Sequence, residues 1–241
     1  MRKKIATLTN KTHRIRWRSN EPSRMETFSD AVMAFALTLI IVSIEVPKSF
    51  DELTETMKGT VSFAVCFALL FQIWNNQNIF FRHYGLKDAY TNTLNAFLLF
   101  VVLIYAYPLK FLSMLMFASE DGTYVKNGHR YAMIKDEQVQ SLMLIYGAGF
   151  FVIYLLFYLM YRNAQKQANE LELSKEELFE TITVTNINLI CMIICIVGML
   201  LAFVLPKYAG PTGFIYCLIP LAYTFWYSYR GGKQRKLFAT A

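Results

Sequence analysis

The chain has 241 residues, of which 55% are apolar, 16% aromatic and 17% charged, and its formal charge is +7. This is too apolar for a soluble domain of that length, which excludes a soluble enzyme or a nucleic-acid module and makes the bilayer the natural solvent. The basic residues gather at the edges of apolar runs rather than along one face, so the positive charge reads as membrane orientation.

A spanning helix needs roughly 20 mostly apolar residues to cross about 30 Å of hydrocarbon. Six runs of that kind are predicted, at 28–46, 61–81, 91–109, 142–161, 184–205 and 214–229. The fold class is therefore an all-α membrane protein with six transmembrane helices. Placing the N-terminus inside puts most of the 24 Lys and Arg on that side, so the positive-inside rule selects N-in, C-in. Residues 1–26 form a basic cytoplasmic tail, 27–230 a six-helix transmembrane domain, and 231–241 a second cytoplasmic tail. The first run has no small-x-small site after it and is expected to stay as an anchor.

The first run is the unusual one. At about 100° per residue, Ala31, Ala34, Phe35, Thr38, Val42 and Glu45 share one narrow, small and slightly polar face. Val32, Met33, Leu37, Ile40 and Ile44 fill the other side. A stripe of small residues with a hydroxyl marks either close helix packing or the wall of a pathway. Asp30, near the inner end, needs a partner at that depth; Arg24 is one candidate, while Ser29 and Asp30 could equally cap the helix start.

The second run ends in Gln72, Trp74, Asn75, Asn76, Gln77 and Asn78, and the third opens with Asp88, Asn92 and Asn95. These polar groups share one membrane level, so a hydrogen-bonded girdle joining the first three helices is expected. Pro108 is expected to kink or end the third helix, leaving Lys110 to reach for the outer interface. The segment 118–140 reads as an outer loop. Ser174 and Glu177 have capping-box spacing at the start of the fifth helix. Cys66, Cys191, Cys195 and Cys217 fall within the runs as packing residues. No disulfide framework, metal ligand set or cofactor site is evident, and the acids and histidines do not converge as catalysis would require.

The pattern Arg24-x-x-x-Phe28-Ser29-Asp30, opening a helix that continues Ala-Val-Met-Ala-Phe-Ala-Leu-Thr-Leu, resembles the signature of the transmembrane protein 175 family of potassium channels. The resemblance covers the whole six-span layout. It implies a homotetramer assembled around a central pore, as in single-repeat prokaryotic members, in a bacterial inner membrane, with K+ as the permeant ion and no cofactor. It also implies that the first helix lines the pore, with constriction rings at Phe35, Leu39 and Val42 and a hydroxyl layer at Thr38. Arg24, Phe28, Ser29 and Asp30 carry the family's motif, and Trp74, Asn75 and Asn78 are expected to join them in a structural network. Charge alone adds Glu45, with Asp51, Glu52 and Glu55, as cation attraction at the outer mouth. Phe35 is bulkier than the usual residue, and Asn75-Asn76-Gln77 stand where many relatives have histidines. A proton-coupled secondary transporter or an accessory membrane protein is the alternative, although no inverted repeat or midplane acid supports a transporter.

Overall fold

The computed structural model describes residues 16–19, 21–42, 49–50, 53–54, 57, 60–116, 123–126 and 129–238. Among these, six long helices account for nearly all regular structure: α1 (Arg24–Val42), α2 (Thr60–Tyr84), α3 (Ala89–Met116), α4 (Asp136–Lys166), α5 (Lys175–Val204) and α6 (Leu218–Phe238). Among the described residues three stretches are long and apolar enough to cross a membrane, Ala89–Phe111, Glu137–Lys166 and Lys175–Val204. In α1, Arg24, Glu26 and Asp30 interrupt a helix of only 19 residues, while the amide run of α2 and the basic end of α6 dilute those helices.

Local chemistry sets the helix ends. α1 opens with a capping box: Ser23 Oγ accepts from the Glu26 amide at 3.2 Å, and the Ser23 amide donates to Glu26 Oε1 at 2.9 Å. Ser29 and Asp30 therefore lie in the second turn and do not start the helix. α5 opens with the same device, Ser174 with Glu177. Gly85 closes α2 at φ +59°, a left-handed position that glycine adopts without a Cβ penalty, and its amide donates to the Phe81 carbonyl.

At two places the chain is more regular than expected. α3 passes through Pro108 and continues to Met116. The missing backbone donor is outweighed by tertiary ties in the same turn: the Tyr146 hydroxyl donates to the Pro108 carbonyl at 2.8 Å, and Leu109 is buried. The segment read as an outer loop holds a β-hairpin, β1 (Thr123–Lys126) with β2 (His129–Ala132), antiparallel with Thr123 opposite Ala132. At the C-terminal end, 3-10 turns and a short helical turn precede α6, which then runs to Phe238, so no break in the chain marks residue 230.

The main core packs α1, α2, α3 and α4 together. A smaller cluster of Ile187, Cys191, Cys195 and Ile219 joins α5 to α6, and Phe150 of α4 touches both. Among the described glycines the tightest is Gly149 of α4, where a Cβ would lie 1.9 Å from the Tyr105 ring of α3. Cys66, Cys191, Cys195 and Cys217 are free thiols; Cys217 is exposed rather than packed.

Candidate functional site

The two sides of α1 differ sharply. Ser29, Met33, Ala36 and Ile40, spaced three or four residues apart, are buried against α2 and α3; Ala36 is fully enclosed. The opposite stripe of Phe28, Ala31, Ala34, Phe35 and Thr38 is open, with Phe28 59% and Phe35 56% exposed. Leu39 lies at the border and is half-buried. Val42 is the last residue of the helix, and Glu45, Asp51, Glu52 and Glu55 lie outside the described residues. The Thr38 hydroxyl donates to the Ala34 carbonyl at 2.9 Å, one turn back. Its proton is spent along the helix, so the oxygen turns its lone pairs outward as an acceptor.

At the N-terminal end of α1, side chains tie the first three helices into a polar girdle. Trp74 Nε1 of α2 donates to Asp30 Oδ1 at 2.7 Å. Asn95 Nδ2 of α3 donates to Ser29 Oγ at 2.9 Å, and Ser29 in turn donates to the Met25 carbonyl at 2.8 Å. Gln77 Nε2 donates to Asn95 Oδ1, closing the triangle between α2 and α3. Ser29, Gln77 and Asn95 are all buried, and no buried side-chain polar atom among the described residues lacks a partner. A cavity of about 180 Å³ sits beside the girdle, lined in part by Glu26, Asp30, Trp74 and Asn78.

Other motif residues stand apart from this triangle. Arg24 is exposed, and its proposed partner Asp30 is held by Trp74 instead. Asn78 accepts from Arg82 Nε at 2.9 Å within α2, and Asn75 is half-buried beside the girdle residues. Asp88 caps α3: it accepts from the Thr91 amide at 3.0 Å and the Thr91 hydroxyl at 2.8 Å, and Asn163 of α4 donates to it at 3.2 Å. Burial pushes the Asp88 carboxyl upward, but the bonds from Thr91, Gln167 and Asn163 outweigh it and hold the pKa below the usual carboxylate value.

Two contacts were not anticipated from the sequence. Lys110 Nζ of α3 donates to the Ile40 carbonyl at 2.9 Å, so this lysine caps the last turn of α1. Arg18, in the tail ahead of α1, donates from both terminal nitrogens to Glu177 of α5, with the shorter contact at 2.9 Å. The capping-box spacing located Glu177, but nothing in the pattern indicated a second use for its carboxylate. Among the described residues no group of three or more His, Cys, Asp or Glu could hold a metal ion.

Residues 24–105, which span α1, α2 and most of α3, match the family described as "Endosomal/lysosomal potassium channel TMEM175". A protein of Marivirga tractuosa named "Potassium channel" is 35% identical over 233 residues, covering 93% of this chain and 94% of that protein. The chain belongs to the TMEM175 family. A second relative, "Potassium channel B446_29190" of Streptomyces collinus, is 32% identical over 95 residues, or 37% of this chain and 46% of that protein.

Solved structures agree with the TMEM175 assignment. A crystal structure of the potassium channel MtTMEM175, as a T38A variant in complex with a Nanobody-MBP fusion protein, superposes with a TM-score of 0.77 at 34% identity, covering 88% of this chain and 95% of that one. The TMEM175 homolog from Chamaesiphon Minutus, described as a lysosomal potassium-selective channel, superposes at 0.55 with 18% identity, over 84% of this chain and 96% of that one, and speaks to the fold alone. The matched TMEM175 segment is the part of the chain that the girdle holds together. TMEM175 relatives being channels, the chain is not classed with enzymes.

Proposed function

We propose that this chain is a potassium-selective, leak-type channel. It works as a homotetramer in a bacterial inner membrane, with six spans and both termini inside. The observation that carries the reading is the open stripe on α1: one side of the helix is buried, and the side bearing Phe28, Ala31, Ala34, Phe35 and Thr38 is exposed. Four copies facing an axis would cover that stripe and form stacked rings. The relatives named potassium channels supply the ion.

In this arrangement the Thr38 oxygens form an acceptor ring, and Phe35, Leu39 and Val42 form apolar rings that strip or exclude strongly hydrated ions and close by dewetting. The girdle of Ser29, Asp30, Trp74 and Asn95 fixes the inner end of the pore helix, with the motif residues Arg24, Phe28, Asn75 and Asn78 around it. Glu45 would draw cations to the outer mouth. Residues 1–26 and 231–241 are assigned as cytoplasmic tails, and 27–230 as the channel domain.

Flux through purified protein in liposomes tests this. A potassium gradient is expected to dissipate much faster than a sodium gradient, with no coupled proton signal, and Thr38→Ala is expected to lower that preference while leaving assembly intact. Proton-coupled exchange would replace the channel reading with a transporter, and unchanged selectivity in Thr38→Ala would remove the threonine ring.

A further inference from the structure

The segment 16–19 lies across the end of the helix bundle and is bonded more heavily than an orientation signal requires. The Arg18 and Ser19 amides both donate to the Arg82 carbonyl at the end of α2, at 3.0 and 3.3 Å. Arg82 itself lies over the Trp17 ring, 5.0 Å from its centroid. The Arg18 guanidinium spends all its N–H groups. Nε donates to the Leu171 carbonyl at 3.0 Å, one terminal nitrogen reaches the His83 carbonyl at 3.1 Å, and the other reaches the Glu172 carbonyl at 3.4 Å. Both terminal nitrogens also contact the Glu177 carboxylate. Glu172, which offers one of those carbonyls, is the single non-glycine residue at positive φ among the described residues, at 49°, so the turn between α4 and α5 is bent into an unfavourable conformation where it meets Arg18.

Glu177 is used differently from its counterpart at the start of α1. Both glutamates complete a Ser-x-x-Glu box, and in that role each accepts from its serine amide. Glu177 accepts three further bonds, all from the tail: the Arg16 amide at 3.0 Å and the two terminal nitrogens of Arg18. Four bonds fill the lone pairs of the carboxylate. The side chains of the pair are only 13% and 6% exposed, so the contact is shielded from the solvent that weakens surface ion pairs.

The placement of this contact gives it reach. α1 packs on α2 and α3, whereas α5 packs on α4 and α6. Besides the packing of α3 on α4, Arg18 and Glu177 give the α1 entry a direct tie to the α5 start, and only a short link, with a bond from the Ser19 hydroxyl to the Glu21 carbonyl, separates Arg18 from the capping serine of α1. The α5 start and the entry of α1 are thus in direct contact through one ion pair.

We propose that Arg18 and Glu177 are positioning residues for conduction: their ion pair fixes where the chain enters α1, and through α1 it sets the flux of the assembled channel. This rests on the channel reading above. The pair touches neither the permeant ion nor the rings, so it governs flux without governing selectivity.

The test is liposome flux of wild type, Glu177→Gln, Arg18→Met, the double variant and Arg18→Lys, each normalised to incorporated protein with the wild-type elution profile. Gln retains the capping box, so Glu177→Gln removes the ion pair and keeps the helix start; Arg18→Met serves if that variant fails to accumulate. Each single neutralisation is expected to lower potassium flux on the order of tenfold, with the potassium-to-sodium ratio unchanged. The double variant is expected to lose no more than Arg18→Met alone, because Arg18→Met already removes the ion pair together with its bonds to backbone carbonyls. Arg18→Lys is expected to restore part of the flux, since it keeps the charge but not the planar fork. Flux equal to or above wild type in the singles, a double loss equal to the product of the single losses, or an altered ion ratio would each overturn the inference while the channel reading stands. A wild type that passes no potassium would overturn both.

Discussion

Trp74 holds Asp30 through a single 2.7 Å bond from the indole Nε1 to Oδ1, so the carboxylate in the second turn of α1 is tied to the next helix and not to Arg24. Trp74→Phe keeps the ring and removes the donor, and is expected to cost roughly 1 kcal/mol. Asn95→Ala is expected to cost more, about 3 kcal/mol, because it leaves both Ser29 and Gln77 buried without their partner. Thermal unfolding of the detergent-solubilised protein should rank the two variants in that order; the reverse ranking would mean that Asp30, not Asn95, is the centre of the girdle.

Phe35 projects from the open stripe of α1 and is packed against little in its own chain. Phe35→Ala is therefore expected to leave the unfolding temperature close to wild type while raising potassium flux. A flux equal to wild type would place this ring away from the axis.

Gly149 faces the Tyr105 ring with no room for a methyl group, and that ring is fixed because its hydroxyl donates to the Tyr146 carbonyl at 2.7 Å. Gly149→Ala gains helix propensity but forces α3 and α4 apart, and overpacking of this kind costs about 1–3 kcal/mol. A lower unfolding temperature is expected; a higher one would show that the tyrosine can move aside.

Asp88 contributes to the pH dependence, as does Glu177, whose carboxyl, despite burial, is also held below its usual value by the bonds from Arg18, Ser174 and Arg16. The folded pKa of Asp88 lies below the ordinary value, so its contribution is complete above the unfolded carboxylate pKa of about 4 and is lost as pH falls through the folded value. Unfolding temperature should therefore drop on acidification, and less so in Asp88→Asn, which can still accept at the cap but does not titrate. Identical acid sensitivity in the two proteins would assign the effect to another carboxylate.

The open and packed sides of α1 were legible in the sequence because a 3.6-residue period sorts Ala31, Ala34, Phe35 and Thr38 from Met33 and Ile40 without knowledge of neighbours. The polar level shared by Ser29, Gln77 and Asn95 was legible for a similar reason: unpaired amides at that depth are costly, so they had to find one another. Lys110 and Arg18 were not legible. Lys110 ends on a backbone carbonyl, which every residue offers, and Arg18 meets a glutamate 159 residues away that the capping box already accounted for, so residue types give no hint of either partner. The hairpin has a sequence signal in the dipeptide Asn127–Gly128 between short β-prone stretches, outside the apolar runs that dominate the pattern. The start of α1 at Arg24 was hidden because charged residues precede the apolar run, while its Ser23–Glu26 box was as readable as the one at Ser174.

The partners that finish α1 arrive late in synthesis. Ser29 waits for Asn95, 66 residues downstream, and the Ile40 carbonyl waits for Lys110, 70 residues downstream. At about 5–20 residues per second, the first helix leaves the ribosome roughly 3 to 14 s before either contact can form. During that interval its polar end must be sheltered by water, lipid headgroups or the insertion machinery. A slowed codon stretch between the second and third helices would lengthen the exposure, and a mutation at Asn95 would make it permanent.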